Sequence, residues 1–235
     1  MSRRAGALVC RTRCRGWHFL SARNCHAGIE KFFEASARQH QHHLCPRQVL
    51  GVRLGAYAGE LLDLALPRTD KRLFAFVEMD GCLIDGIASA TNCTVGHRTM
   101  HVMDYGKTAA TFVDTETQRA LRIAPTRESR ARALPYAPDA PDRWHAQLVA
   151  YQVMPAHELL VAQSVTLTVS LQAIISTHGR RSVCAQCGED IINEREVRAD
   201  GRILCRACAV GAYYTPACSP GVAVGSVAVV DPARM

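Results

Sequence analysis

The sequence predicts an α+β protein, with a mixed or antiparallel sheet, flanking helices and a small C-terminal zinc-binding domain. Three observations predict it. Helix-like and strand-like segments follow one another without the regular alternation of a doubly wound sheet. Two C-x2-C pairs stand 17 residues apart near the C-terminus. At 235 residues, 48% hydrophobic and 21% charged, the chain is long enough for one medium domain and one small one.

The first helix is expected over Glu30–Gln39, where Phe32, Phe33 and Ala37 fall near helical spacing. "PRQVLGVRLGAYAGELLDLALP" gives the clearest helix: Pro46 suits the first helical position, Leu50, Leu54, Leu61 and Leu62 share a face, and Pro67 stops it. "RLFAFVEM" reads as a buried strand. "DGCLIDGIASATNC" reads as a turn and a short helix, with Asn92 at the left-handed helix-ending position. Three strands follow in "RTMHVMD", "TAATFVD" and "RALRIAP", separated by the turn chemistry of "YGK" and "DTETQ". After a polar, proline-bearing stretch, "DRWHAQLVAYQVM" is an amphipathic helix with Trp144, Leu148 and Tyr151 on one face. "PAHELLVAQ" begins another helix, and "SVTLTVSLQAI" alternates like a half-buried strand.

The net charge of +7 is weak support for nucleic-acid binding. Six of the arginines lie within the first thirty residues, facing one acid, Glu30. Residues 1–28 are read as a basic, unstructured extension, 29–180 as the core, 181–212 as the metal module and 213–235 as a loose tail. The uncharged segment Ala209–Val230 contains Pro216, Pro220 and three glycines, which argues against a membrane span. Eleven cysteines, four of them in metal-site spacing, point to a reducing cytoplasm rather than a secreted disulfide framework.

Cys184, Cys187, Cys205 and Cys208 form C-x2-C-x17-C-x2-C. Two such knuckles supply four thiolates in tetrahedral geometry, as a closed structural zinc site requires. A rubredoxin-like iron or iron–sulfur site has the same ligands. Gly188 fits the knuckle turn, and "INEREVRADGRIL" reads as a hairpin around Asp200 and Gly201. The segment is too small for a core of its own, so metal binding is its folding energy.

A second constellation lies in the core. Cys45 precedes Pro46 at a helix start, with His43 two residues earlier. Cys82 stands in the same way at the start of the short helix, with Asp85 three residues on as a capping carboxylate or a ligand-orienting group. A helix N-terminus favours thiolate. Both thiols are therefore expected to ionise near neutral pH and, with His43, to hold a second divalent metal or a small ligand. Cys93, a fourth candidate, lies about 16 Å from Cys82 along a straight helix and joins the site only if that helix is broken. The bland alternative is a pair of small buried fillers beside surface histidines.

"HLCPRQVLGVRLG", "DGCLIDGIASATNCTVGH", "DYGKTAATF" and the closing "CAQCGE" and "CRAC", in that order, resemble the E-subunit family of formylmethanofuran dehydrogenase from about Gln41 to Cys208. Its pattern H-G-H-x-C-P-G, C-x-x-D and T-G-C-T-x-G-K is matched here by His43, Cys45, Pro46, Cys82, Asp85, Thr91, Cys93, Thr94 and Gly96. Gln41 and His42 replace the family's first histidine and glycine, leaving His40 or His42 to supply the lost ligand. Arg47 and Asn92 replace glycines, and His97 replaces the lysine. The resemblance implies an α+β core, often a homodimer, with a treble-clef zinc finger. It also implies association with a molybdenum or tungsten oxidoreductase that interconverts carbon dioxide and formylmethanofuran.

Three functions are open at this point. The chain is a metal-binding accessory protein of one-carbon or redox metabolism, a thiol enzyme with Cys45 as nucleophile and His43 as its base, or a zinc-finger adaptor. Against nucleic-acid binding, the finger carries no excess of arginine over acid.

Overall fold

The central helix sets the architecture. α2 (Pro46–Leu62) follows α1 (Glu30–Gln39) and is buried around most of its circumference, with Val49, Val52, Leu54 and Ala58 fully enclosed. It ends not at Pro67 but at Asp63, which takes the left-handed conformation at φ 56° and returns its N–H to Glu60 and Gly59. An aspartate tolerates that conformation better than a branched residue. Residues 28–39, 43–176 and 179–215 of this computed structural model are described. They form two compact units, one extending to Leu167 and one beginning at Thr168.

In the first unit, β1 (Leu73–Val77), β2 (Met100–Val102), β3 (Ala110–Asp114), β4 (Ala120–Pro125) and β5 (Leu160–Ser164) form one sheet in the order β2-β1-β3-β4-β5. β1 and β2 are parallel, connected through α3 (Cys82–Thr91), and the other pairs are antiparallel. The sheet is thus mixed, as expected. The Leu73, Ala75, Val77, Phe112 and Ile123 side chains join α2 and α3 in one apolar cluster. Where the sheet turns between β3 and β4, buried Asp114 accepts two hydrogen bonds from Arg72, at 2.7 and 2.8 Å.

α2 and α3 run parallel and unusually close. A Cβ on Gly86 would lie 2.1 Å from the Gln48 carbonyl oxygen, and one on Gly51 would lie 2.3 Å from that of Leu83. Only hydrogen fits at either place, since backbone cannot retreat as a flexible side chain can. Gly55, four residues further along α2, meets Ala90 and Thr91 near the end of α3.

α5 (Arg143–Val153) packs on α2, and its last turn is tied there by an arginine. Arg53, 5% exposed, donates to the carbonyls of Tyr151, Gln152 and Met154 at 3.1, 3.2 and 2.6 Å. Those carbonyls carry the negative end of the α5 dipole, so the buried cation meets both charge and hydrogen-bond demand.

Three segments depart from the sequence-based expectation. The polar stretch before α5 contains a helix, α4 (Ser129–Tyr136). "PAHELLVAQ" supplies only the single turn α6 (Ala156–Leu159), and the chain then becomes β5. The open edge of β4 takes Leu160–Ser164 into a five-pair register, and those ladder bonds outweigh helix propensity. "SVTLTVSLQAI" adds no strand among the described residues. Its Ser170 hydroxyl accepts from the Ala173 N–H at 3.1 Å and starts α7 (Leu171–Ser176).

In the second unit, β6 (Arg181–Val183) pairs with β7 (Asp190–Ile192), and β8 (Val197–Ala199) pairs with β9 (Arg202–Leu204) across the expected turn. α8 (Arg206–Val210) closes the unit. No described helix is long and apolar enough to cross a membrane.

Candidate functional site

Cys45 caps α2 through a capping box with sulfur in place of a hydroxyl. Its extended backbone aims Sγ at the Gln48 N–H, 3.4 Å away, while the Gln48 side-chain oxygen accepts the Cys45 N–H at 2.9 Å. The Gln48 amide nitrogen donates to the carbonyl and hydroxyl of Ser36 on α1, at 3.3 and 3.4 Å. Buried Gln48 therefore fixes the thiol and is itself fixed from α1. It does not stand out in the sequence, although its position three residues after a capping residue is a readable signal.

Cys82 is the first residue of α3. The N-cap is Gly81, which has no side chain, so Cys82 and Asp85 form no capping box. Because α2 and α3 are parallel, both N-termini open on the same side. A cavity of ≈ 390 Å³ lies between them, lined by His43, Cys45, Gln48, Cys82, Ile84 and Asp85. The sequence-predicted residues His43, Cys45, Cys82 and Asp85 thus meet around one space.

Cys45 and Cys82 border this space from the two helix starts. Burial pushes the Cys82 thiol up to about 11, and the neighbouring Cys45 thiol adds to the rise. The expectation that both thiols ionise near neutral pH therefore fails for Cys82 when no metal charge is present. Desolvation and a neighbouring sulfur outweigh the field of a helix end. His43 is exposed and stacks on Trp144, with ring centroids 6.2 Å apart and planes 23° from parallel. Trp144, expected on the buried face of its helix, instead stands 37% exposed over the rim. His40 and His42 lie outside the described residues.

Cys93 is elsewhere. α3 is continuous from Cys82 to Thr91, and the buried Cys93 thiol donates to the Leu73 carbonyl at 3.3 Å. Burial raises its pKa, which suits a neutral structural thiol. Glu78, at the end of β1, is also turned away and pairs with Arg122 at 2.6 and 2.7 Å.

The four-cysteine cluster has ligand geometry. All four sulfurs lie within 4.8 Å of one another, the only group of three or more metal-ligating side chains this tight among the described residues. The Cys187 and Cys205 sulfurs are 3.9 Å apart. A tetrahedral site with metal–sulfur bonds of about 2.3 Å has sulfur–sulfur edges of about 3.8 Å. Cys184 follows β6, Gly188 turns the first knuckle at φ 75°, and Cys205 caps α8, accepting the Cys208 N–H at 3.4 Å. Backbone N–H groups, that of Cys187 foremost and that of Cys205 at 3.2 Å, lower the Cys184 thiol to about 6. Among the described residues, the apolar cluster around these thiols is only Cys184, Ile191 and Leu204 with a few half-buried neighbours. These residues fit a tetrahedral metal such as zinc, which would supply the missing folding energy.

A mixed sheet with α2 and α3 packed on it, followed by a four-cysteine unit, defines the class. A solved protein from Syntrophus aciditrophicus, described as like the E-subunit (FmdE) of a tungsten formylmethanofuran dehydrogenase, superposes with a TM-score of 0.53 at 20% identity. The superposition covers 83% of this chain and all of that one. The family described as "FmdE, Molybdenum formylmethanofuran dehydrogenase operon" matches residues 40–161, and the chain belongs to it. A protein of Archaeoglobus fulgidus, described as a probable S-adenosyl-L-methionine-binding protein, is 34% identical over 90 residues. That match covers 37% of this chain, which spans about a quarter (25%) of the relative's length.

Proposed function

We propose that this protein is a metal-binding accessory protein of one-carbon metabolism, acting in the cytoplasm beside a molybdenum- or tungsten-dependent oxidoreductase as a homodimer. Its four C-terminal cysteines hold a structural zinc, and the cavity at the paired helix ends binds a divalent metal or a small ligand. One observation carries the second claim: Cys45 and Cys82, far apart in sequence, meet at one rim. Two sulfurs and an imidazole are a donor set for a borderline metal, with a position left open for a ligand. His43 would leave Trp144 to complete it. Asp85, on the cavity wall, would orient what binds. The family and the finger support the accessory role. The name of the archaeal relative makes S-adenosyl-L-methionine the first organic probe.

Alkylation of the full chain tests this, with each cysteine followed by peptide mass spectrometry from pH 6 to 11. Without added zinc, Cys82 should resist until strongly alkaline pH. Stoichiometric zinc beyond that bound by the finger should protect both Cys45 and Cys82. His43→Ala should weaken that protection by roughly tenfold or more, at least the scale seen on losing a supporting group. Alkylation of Cys45 at the same rate with and without zinc would refute the site and return both thiols to packing.

A further inference from the structure

The segment "TNCTVGHRT", Thr91–Thr99, carries the last of the core motifs, yet it lies at the opposite end of α3 from the thiol cavity. It borders a second cavity of ≈ 350 Å³, whose lining includes Arg68, Lys71, Asn92, Cys93, His97 and Thr99. We propose that this cavity binds a small oxyanion, the phosphoryl or carboxylate group of a metabolite.

The walls are built and rigid. The Thr99 hydroxyl accepts the Thr94 N–H at 3.1 Å, and the Thr94 hydroxyl accepts the His97 N–H at 3.1 Å. The Thr91 hydroxyl accepts the Cys93 N–H at 3.0 Å, and the Asn92 amide donates to the Arg68 carbonyl at 3.0 Å. These bonds tie the loop to itself and to the segment before β1, so the neutral polar groups serve the frame.

The charge carried by the lining is positive. Arg68, Lys71 and His97 line the space, and no carboxylate does. Asp70 pairs with Arg68 from outside the lining and offsets its charge, which leaves Lys71 as the main cation. Among the described residues, neither Lys71 nor His97 takes part in an ion pair. The end of α3 opposes an anion with about half a negative charge. That is less than Lys71 alone supplies in positive charge. Exposed Lys71 and His97 converge beside this hydrogen-bonded frame, which favours a compact multivalent anion.

The test is titration of the full chain with inorganic phosphate and, separately, acetate, followed by calorimetry in low and high sodium chloride. Lys71 sits at φ 58°, so Lys71→Asn removes the charge while keeping a residue that tolerates the conformation. Saturable binding of at least one probe is expected, weakened by salt and by about tenfold in Lys71→Asn, as loss of a charge-assisted contact implies, and weakened also in His97→Gln. Arg38→Gln, an equal charge loss on α1, should leave it unchanged, and circular dichroism should match in all variants. Tighter binding of phosphate than of acetate identifies a phosphoryl ligand, and the reverse a carboxylate. Absence of saturable binding of both probes, or equal weakening by Arg38→Gln, overturns the proposal.

Discussion

Asp114 shows how one buried carboxylate couples this fold to pH. The Arg72 guanidinium holds its pKa well below the ordinary carboxylate value, helped by the Thr117 hydroxyl and the Glu116 N–H. A group with a depressed folded pKa contributes stability that is complete above its unfolded pKa, near 4, and is lost as pH falls through the folded value. Tryptophan-monitored urea titrations should therefore show a midpoint that falls progressively below about pH 4. Asp114→Asn should lower the midpoint at pH 7 and flatten its decline in acid. An unchanged acid slope in the variant would assign that decline to other carboxylates.

Among the elements, the α2–α3 seam determines the spacing of the two thiols. Gly86→Ala places a methyl against the Gln48 carbonyl and should cost about 3 kcal/mol or more, at or beyond the usual range for overpacking. It should also speed Cys45 alkylation, because Gln48 belongs to the capping box. A variant with wild-type melting and reactivity would show that the helices separate freely. This seam is only half legible in the sequence. "GVRLG" and "DGIA" suggest helices, but that their glycines face each other depends on the sheet that brings α3 alongside α2. Cys45 and Cys82 are legible as helix-start thiols because proline and turn chemistry mark those starts locally. Gln48 and Trp144 are not, since one answers to Ser36 and the other to His43. The β5 segment misleads for the same reason: Leu160–Ser164 has a helical pattern, and its strand form exists only because β4 offers an edge.

For the molecule as a whole, stability comes from two sources. The first unit has a large apolar cluster, whereas the described residues of the second form a cluster of only three buried residues beside four gathered thiols. Chelation, or Cys187→Ser with Cys205→Ser, should release about one zinc per chain. It should abolish the hydrogen-exchange protection of β6–β9 and leave the first unit's cooperative melt in place. Retention of stoichiometric metal by the double variant would overturn the assignment. Arg53 sets the order in which the first unit can be completed. Its guanidinium rests on carbonyls 98 to 101 residues further along the chain. A nascent chain that has emerged only through β4 holds both cavities' residues, yet burying α2 would strand a cation without its acceptors, at a cost of several kcal/mol. Closure of the core therefore waits until Met154 leaves the ribosome, so neither cavity matures before most of the first unit has been translated.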